Sequence, residues 1–196
     1  MSLGFFSKEF TDPIETSIVS PVDRKTTYIN AKSAENSGVE YEIYKRLDFL
    51  PDSFFNGIGE DFYVQGNVAY IQSEVTIRDE DRNSLTSLTR PLQGQSDWLF
   101  NAQVGYEPIS GTTATLLYHY FGERIAEVGI EGAPDLIEQP FGELNFVFIR
   151  SLSENWSTTL KAKNIMDERS EITQGGRVTT GYNRGREFSL QLNYRF

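Results

Sequence analysis

Asp79, Asp81 and Asn83 occupy the first, third and fifth positions of a calcium-loop pattern, the spacing that turns side-chain oxygens toward one hard cation. The pattern then fails twice. Its sixth position is Ser84, where the sharp turn needs glycine, and its twelfth is Arg90, where a bidentate carboxylate belongs. The segment is read as a solvated loop. His119 is the only histidine, so multi-histidine metal sites and the His-Glu-x-x-His protease motif are excluded. No Gly-x-Ser-x-Gly elbow supports a Ser-His-Asp triad around it. With no cysteine, thiol nucleophiles, disulfides, Fe–S clusters and Cys-ligated zinc are also out. Glu40 and Glu42 stand two apart on a strand-like segment and so share a face. A glycosidase uses such a pair as acid and base, but a wet sheet face explains them without chemistry. Gly57-x-Gly59 and Gly175-Gly176 are turn glycines that open no helix, so neither cradles phosphate. Asn155-Trp156-Ser157 matches a glycosylation sequon and is read as a turn. No catalytic, cofactor-binding or metal-binding residue is assigned, and the chain is not read as an enzyme.

The elements that carry these residues alternate with period 2, and helical periodicity is absent. In the last segment Phe188, Leu190, Leu192, Tyr194 and Phe196 alternate with Ser189, Gln191, Asn193 and Arg195. That is a strand with one greasy and one wet face. The same alternation sets Trp98, Phe100, Ala102, Val104 and Tyr106 against Leu99, Asn101, Gln103 and Gly105. It also sets Leu144, Phe146 and Phe148 against Glu143, Asn145 and Val147, and Val39, Tyr41 and Ile43 against Glu40, Glu42 and Tyr44. About eight strands are expected, near 2–17, 25–48, 60–77, 96–107, 112–126, 137–151, 155–169 and 178–196. Short turns sit near Pro108–Gly111 and Leu152–Glu154, and longer polar loops near 78–95, 127–139 and 170–181. Short turns at one end and long loops at the other are the layout of a transmembrane β-barrel. His119, on one of these strands, falls on the lumen side or in an aromatic girdle.

Composition agrees. Apolar residues are 38% of the chain, low for a soluble domain, while aromatics reach 13%. A sheet greasy on one face, polar on the other and rimmed by aromatic rings has this balance. The net charge of −10 and pI near 4.6 oppose nucleic-acid binding, which requires a basic face. The acidity is read first as a solvated surface, and is compatible with a lumen that handles cationic or metal-chelate cargo. No apolar run is long enough for a membrane helix. No signal peptide opens the chain, so an exported protein would have to begin upstream of Met1.

Four segments resemble the TonB-dependent receptors of Gram-negative bacteria, and together they span nearly the whole chain. Tyr28-Ile29-Asn30-Ala31 followed by Ser37-Gly38-Val39-Glu40-Tyr41-Glu42 is similar to that family's "N-A … G-V-E-x-E" strand. Arg90-Pro91-Leu92-Gln93-Gly94-Gln95-Ser96 followed by Asn101-Ala102 resembles its "R-P-L-Q-G-Q-S … N" lead-in to a downward strand. Lys163-Asn164-Ile165-Met166-Asp167-Glu168-Arg169 resembles the "N-L-F-D-x-x-Y" penultimate strand, with Ile165-Met166 replacing Leu-Phe and Arg169 replacing an aromatic. Gly185-Arg186-Glu187-Phe188 running to Tyr194-Arg195-Phe196 resembles the "G-R-x-F … Y-x-F" ending. Each alone is weak; four in order and spacing are specific.

The resemblance implies an all-β fold: residues 1–196 form antiparallel up-and-down strands from the carboxy-terminal part of an outer-membrane barrel. The sheet would be either a slice of a larger barrel or a small closed one. The parent would import a scarce ligand such as a ferric siderophore, a cobalamin or a glycan, with the ligand touching the loops at 78–95, 127–139 and 170–181. No cofactor is implied. The implied partners are outer-membrane lipid, the imported ligand, the parent's plug domain and, through it, TonB. The barrel assembly machinery would read Phe196, which also suits a lower aromatic girdle. The alternatives are a stand-alone eight-stranded structural or adhesive barrel, a soluble carrier with an apolar interior, and an all-β enzyme.

Overall fold

The computed structural model describes residues 1–20, 25–49, 51, 58–79 and 85–196. Eight long strands form the main sheet: β1 (Ser2–Thr11), β4 (Ser33–Arg46), β5 (Phe62–Thr76), β7 (Trp98–Tyr106), β8 (Thr112–Phe121), β11 (Phe141–Ser151), β12 (Trp156–Lys163) and β15 (Glu187–Tyr194). Each pairs antiparallel with the next in chain order, which is an up-and-down meander. The sheet is open. β1 and β15 each have a single neighbour, so the small closed barrel is not what this chain forms.

The period-2 pattern survives pairing, because the register aligns like with like. Val64, Val104, Leu116, Phe146, Ala162 and Phe188 stand directly opposite one another across six adjacent strands. The next row runs Phe62, Tyr106, Ala114, Phe148, Leu160 and Leu190. On the other face Glu42, Asn67, Asn101, His119 and Glu143 form a polar row. The apolar face is not an interior: Phe188, Leu190 and Leu192 are 70%, 76% and 59% exposed. Aromatic rings gather at both ends of that face. Tyr70 packs on Trp98 at 4.8 Å toward one end; Phe62 on Tyr106 at 4.7 Å and Trp156 on Tyr194 at 4.8 Å lie toward the other. Phe196 meets Tyr194 edge-on at 5.0 Å and joins the second belt. Close packing on the polar face uses glycine. A Cβ on Gly105 would fall inside the Tyr63 ring, which is only 6% exposed and takes a hydrogen bond from Gln103 Nε2 at 2.5 Å.

All four long connections, 12–32, 77–97, 122–140 and 164–186, emerge at one end of the sheet; 47–61, 107–111 and 152–155 lie at the other. The described residues of the long ones include further strands. β2 (Ile14–Ser20) and β3 (Lys25–Asn30) form a hairpin, and β9 (Arg124–Glu127), β10 (Leu136–Glu138), β13 (Arg169–Gln174) and β14 (Arg177–Asn183) form a second sheet ordered β14-β13-β10-β9. A two-residue strand, β6 (Thr89–Arg90), pairs with β5. The expected segments 2–17, 25–48, 112–126, 137–151 and 178–196 therefore each split into a wall strand and a loop strand, and 155–169 is a wall strand followed by a turn. The expected loop at 170–181 is a hairpin turning at Gly175 and Gly176, both at positive φ. Connection 12–32, of which 12–17 and 25–32 are expected as strand, is a fourth long connection at this end.

At this end the polar face becomes apolar. Ala34 and Val75 pair across β4 and β5, and Ile77, Leu85, Ile125, Val128 and Ile130 join them in the one buried cluster among the described residues. The long connections thus fold onto the wall and bury a small core there.

Candidate functional site

The residues best placed to meet a ligand lie at the long-connection end, and the four sequence segments prove to be its fastenings. Arg90 grips Glu15 through both terminal nitrogens, Nη1 to Oε1 at 3.3 Å and Nη2 to Oε2, with both side chains 3% or less exposed. Gln93 accepts from Thr16 Oγ1 at 2.6 Å and donates to the Ala126 carbonyl at 2.8 Å. Gly94 N–H donates to the Ile125 carbonyl at 2.9 Å, and Ser96 Oγ donates to the Gly122 carbonyl at 2.6 Å. The 90–96 segment thus ties connection 12–32 to connection 122–140, and then leads into β7.

The Asn164–Asp167 segment is a turn that follows β12, not a strand. Asn164 and Asp167 both adopt positive φ, which asparagine and aspartate tolerate better than other side chains. Asn164 Nδ2 donates to the Gly185 carbonyl at 2.9 Å, and Arg186 Nε donates to the Ile165 carbonyl at 2.8 Å. These bonds join the end of β12 to the start of β15. Asn30 accepts from Arg78 Nε at 2.9 Å through its carbonyl, and Arg78 also pairs with Asp12, closing the base of the β2–β3 hairpin.

Between these fastenings lies a cavity of about 580 Å³ lined by Glu15, Thr16, Gln93, Gly94, Arg124 and Glu138. Arg124 donates from Nε to Glu138 at 2.7 Å and lies over the Phe121 ring at 4.1 Å. Phe121 stacks on buried Phe141 at 5.9 Å, and Arg184 lies over Phe141 at 5.0 Å and over Tyr182 at 6.0 Å. Arginine over a ring is held by the ring quadrupole while its edge stays free to donate. Hydrogen bonds with Ser170 and Arg184, and the charge of Arg184, hold the Tyr182 phenol below the usual tyrosine range. This arginine–aromatic ladder suits an anionic, ring-bearing ligand.

The other sequence candidates fall as follows. Glu40 and Glu42 lie on the polar face, where Glu42 accepts from Ser2 Oγ at 3.4 Å. His119 is on the same face, opposite Asn101 and Glu143. Of the calcium pattern, residues 80–84 lie outside the described residues, as does Gly57, and Arg90 is committed to Glu15. Asn155 Nδ2, in the turn before β12, donates to the Arg195 carbonyl just after β15 at 2.7 Å. No group of three or more His, Asp and Glu among the described residues forms a metal site. Of the loops expected from the sequence, 78–95 supplies Gln93 and Gly94 and 127–139 supplies Glu138, while Glu15, Phe121, Arg124, Phe141 and Arg184 lie outside all three. Their signal, arginines flanking aromatics where the strands end, is too common to single out.

No family model and no curated protein matches this sequence. Solved structures do. A double mutant of the ferric enterobactin receptor (PfeA) of Pseudomonas aeruginosa aligns with 98% of this chain at 15% identity and a TM-score of 0.60, over 28% of its own length. A single mutant of the same receptor in complex with enterobactin aligns with 98% at 16% identity and a TM-score of 0.60. The FrpB iron transporter of Neisseria meningitidis aligns with 98% at 13% identity and a TM-score of 0.62, over 27% of its length. The chain spans about a quarter of the length of the structures it matches. Eight antiparallel strands in meander order, one continuous apolar face and the four longest connections at one end are a fold that this chain shares with part of the ferric enterobactin receptor and of the FrpB iron transporter.

Proposed function

We propose that this chain is carboxy-terminal barrel wall and external mouth of an outer-membrane receptor whose intact form takes up a scarce ligand by TonB-dependent transport. The observation that carries the reading is the apolar face, unbroken across six strands in register and belted by aromatic rings at both ends. Lipid is the environment that such a face fits. The polar face would line the lumen against the parent's plug, which would carry the contact with TonB. Phe196 would serve the lower girdle and the assembly machinery together. The role is binding and passage, not catalysis.

Among the ligand classes, an iron chelate is favoured over a cobalamin or a glycan. The mouth presents Arg124 and Arg184 against aromatic rings, a setting for an anionic chelate, and the matched structures are a ferric enterobactin receptor and an iron transporter.

The chain has no cysteine, so surface labelling tests the topology directly. Single variants Tyr28→Cys and Thr180→Cys of the intact protein should react with a membrane-impermeant maleimide on whole Gram-negative cells, and Ile109→Cys and Leu152→Cys only after lysis. Labelling of all four on intact cells would remove the membrane reading. Uptake of radiolabelled ferric enterobactin, reduced by Arg124→Ala, tests the ligand class separately.

A further inference from the structure

Ile18 and Ile29 of the β2–β3 hairpin pack on the buried cluster, which fills space without fixing direction, and polar bonds among the described residues tie the hairpin to the rest of the mouth at two places. At its base, Arg78 binds Asp12 and the Asn30 carbonyl, and Ala31 N–H donates to the Pro13 carbonyl at 2.9 Å. Along its first strand, Glu15 and Thr16 are held by Arg90 and Gln93. The segment 90–96 is separately fixed to connection 122–140 through Gln93, Gly94 and Ser96, none of which involves the hairpin's charge. Glu15 is therefore the hairpin's one charged tie to the 90–96 segment among the described residues, and both partners of that tie lie out of water. A carboxylate and a guanidinium buried together hold direction as well as distance, because the two parallel N–H···O bonds fit one mutual orientation. An apolar contact in the same place would fill the space and leave the angle free.

We propose that Arg90 is a positioning residue of the external mouth: by gripping Glu15 it holds the β2–β3 hairpin as a fixed wall of the cavity that Arg124 and Glu138 line. Removal of the grip releases the hairpin about its Arg78-closed base, while connection 122–140 stays in place. The consequence for ligand binding rests on the receptor reading above; the mechanical coupling does not.

Pairs of spin labels on the intact protein in detergent micelles separate the two motions. Tyr28→Cys with Ile109→Cys reports the hairpin against the opposite end of the wall, and Glu127→Cys with Ile109→Cys reports β9 against the same reference. The background variant is Arg90→Met with Glu15→Leu, which leaves no buried charge alone, and folding is verified by heat-modifiable migration. The 28–109 distance distribution should change from one narrow peak to a broad or split one, with the 127–109 distribution unchanged. Arg90→Lys, which keeps the charge but loses the two-nitrogen grip, should also broaden the 28–109 peak. A single narrow 28–109 peak in the folded double variant overturns the proposal. So does equal broadening of both pairs, which would make the pair a general support of the mouth. Neither result touches the labelling and uptake tests of receptor function.

Discussion

Arg90 and Glu15 are each about one-twentieth exposed or less, and the desolvation of either charge is offset only while the other is present. Removing one partner should therefore cost far more than removing both. Arg90→Met is expected to lower stability by about 3–5 kcal/mol, and Arg90→Met with Glu15→Leu to recover most of that. Denaturant unfolding of the intact protein in detergent measures the cycle; equal losses in the single and double variants would mean the pair is not coupled. Tyr182 makes a second residue-scale test, this one in pH. Its folded pKa lies below the unfolded value through Ser170 and Arg184, so ionisation favours the folded hairpin. That contribution is present above the unfolded tyrosine pKa and is lost as pH falls through the folded one. Arg184→Gln should move the Tyr182 step to higher pH in an ultraviolet difference titration against Tyr182→Phe. An unmoved step would show that the charge of Arg184 does not reach the phenol.

At the scale of the strand, the alternation makes neighbouring residues of one segment unequal. Leu190 is 76% exposed on the apolar face, and Gln191, one residue on, lies on the polar face where Nε2 donates to Asn193 Oδ1 at 2.7 Å. Leu190→Arg should cost about 2–4 kcal/mol of stability in lipid if that face lies near the bilayer midplane, and Gln191→Arg little. Unfolding in liposomes measures both, and equal costs would mean that the faces are not lipid and water. This sidedness was fully legible in the sequence, because a period of two needs only local reading. So were the sheet order and the end at which the long connections gather. The breaks between wall and loop strands were not, since Asp12-Pro13 and Gln139-Pro140 each lie between two stretches that both read as strand. Nor was the mouth. Glu15 and Arg90 lie 75 residues apart, and the apolar turn of the polar face at Ala34 and Val75 has meaning only once Leu85, Ile125 and Ile130 pack onto it. Local patterns specify which face a residue takes; they do not specify which distant loop will cover it.

For the molecule as a whole, the separation of the two aromatic belts decides whether this wall matches an outer membrane. From Phe62 to Tyr70 along β5 the strand advances by roughly 26 Å at about 3.3 Å per residue. A strand tilt of about 40° reduces that to roughly 20 Å of height, against an apolar band of about 25 Å in such barrels. With the wall in such a membrane, the belt spacing comes within roughly 5 Å of the separation of the two hydrocarbon edges, where amphipathic rings are most stable. The two tryptophans of this chain sample both edges, since Trp98 packs on Tyr70 in one belt and Trp156 on Tyr194 in the other. With any tryptophans elsewhere in the parent replaced by phenylalanine, single-tryptophan forms keeping Trp98 or Trp156 should both be quenched best by bromines placed shallow in the acyl chain. Phe146→Trp, which sits in the middle row with Leu116 and Ala162, should be quenched best by bromines placed deep. Greater depth for Trp98 than for Phe146→Trp would place the belt inside the bilayer. In that case the polar row at Glu42, Asn67 and Asn101 would have no continuous water to face.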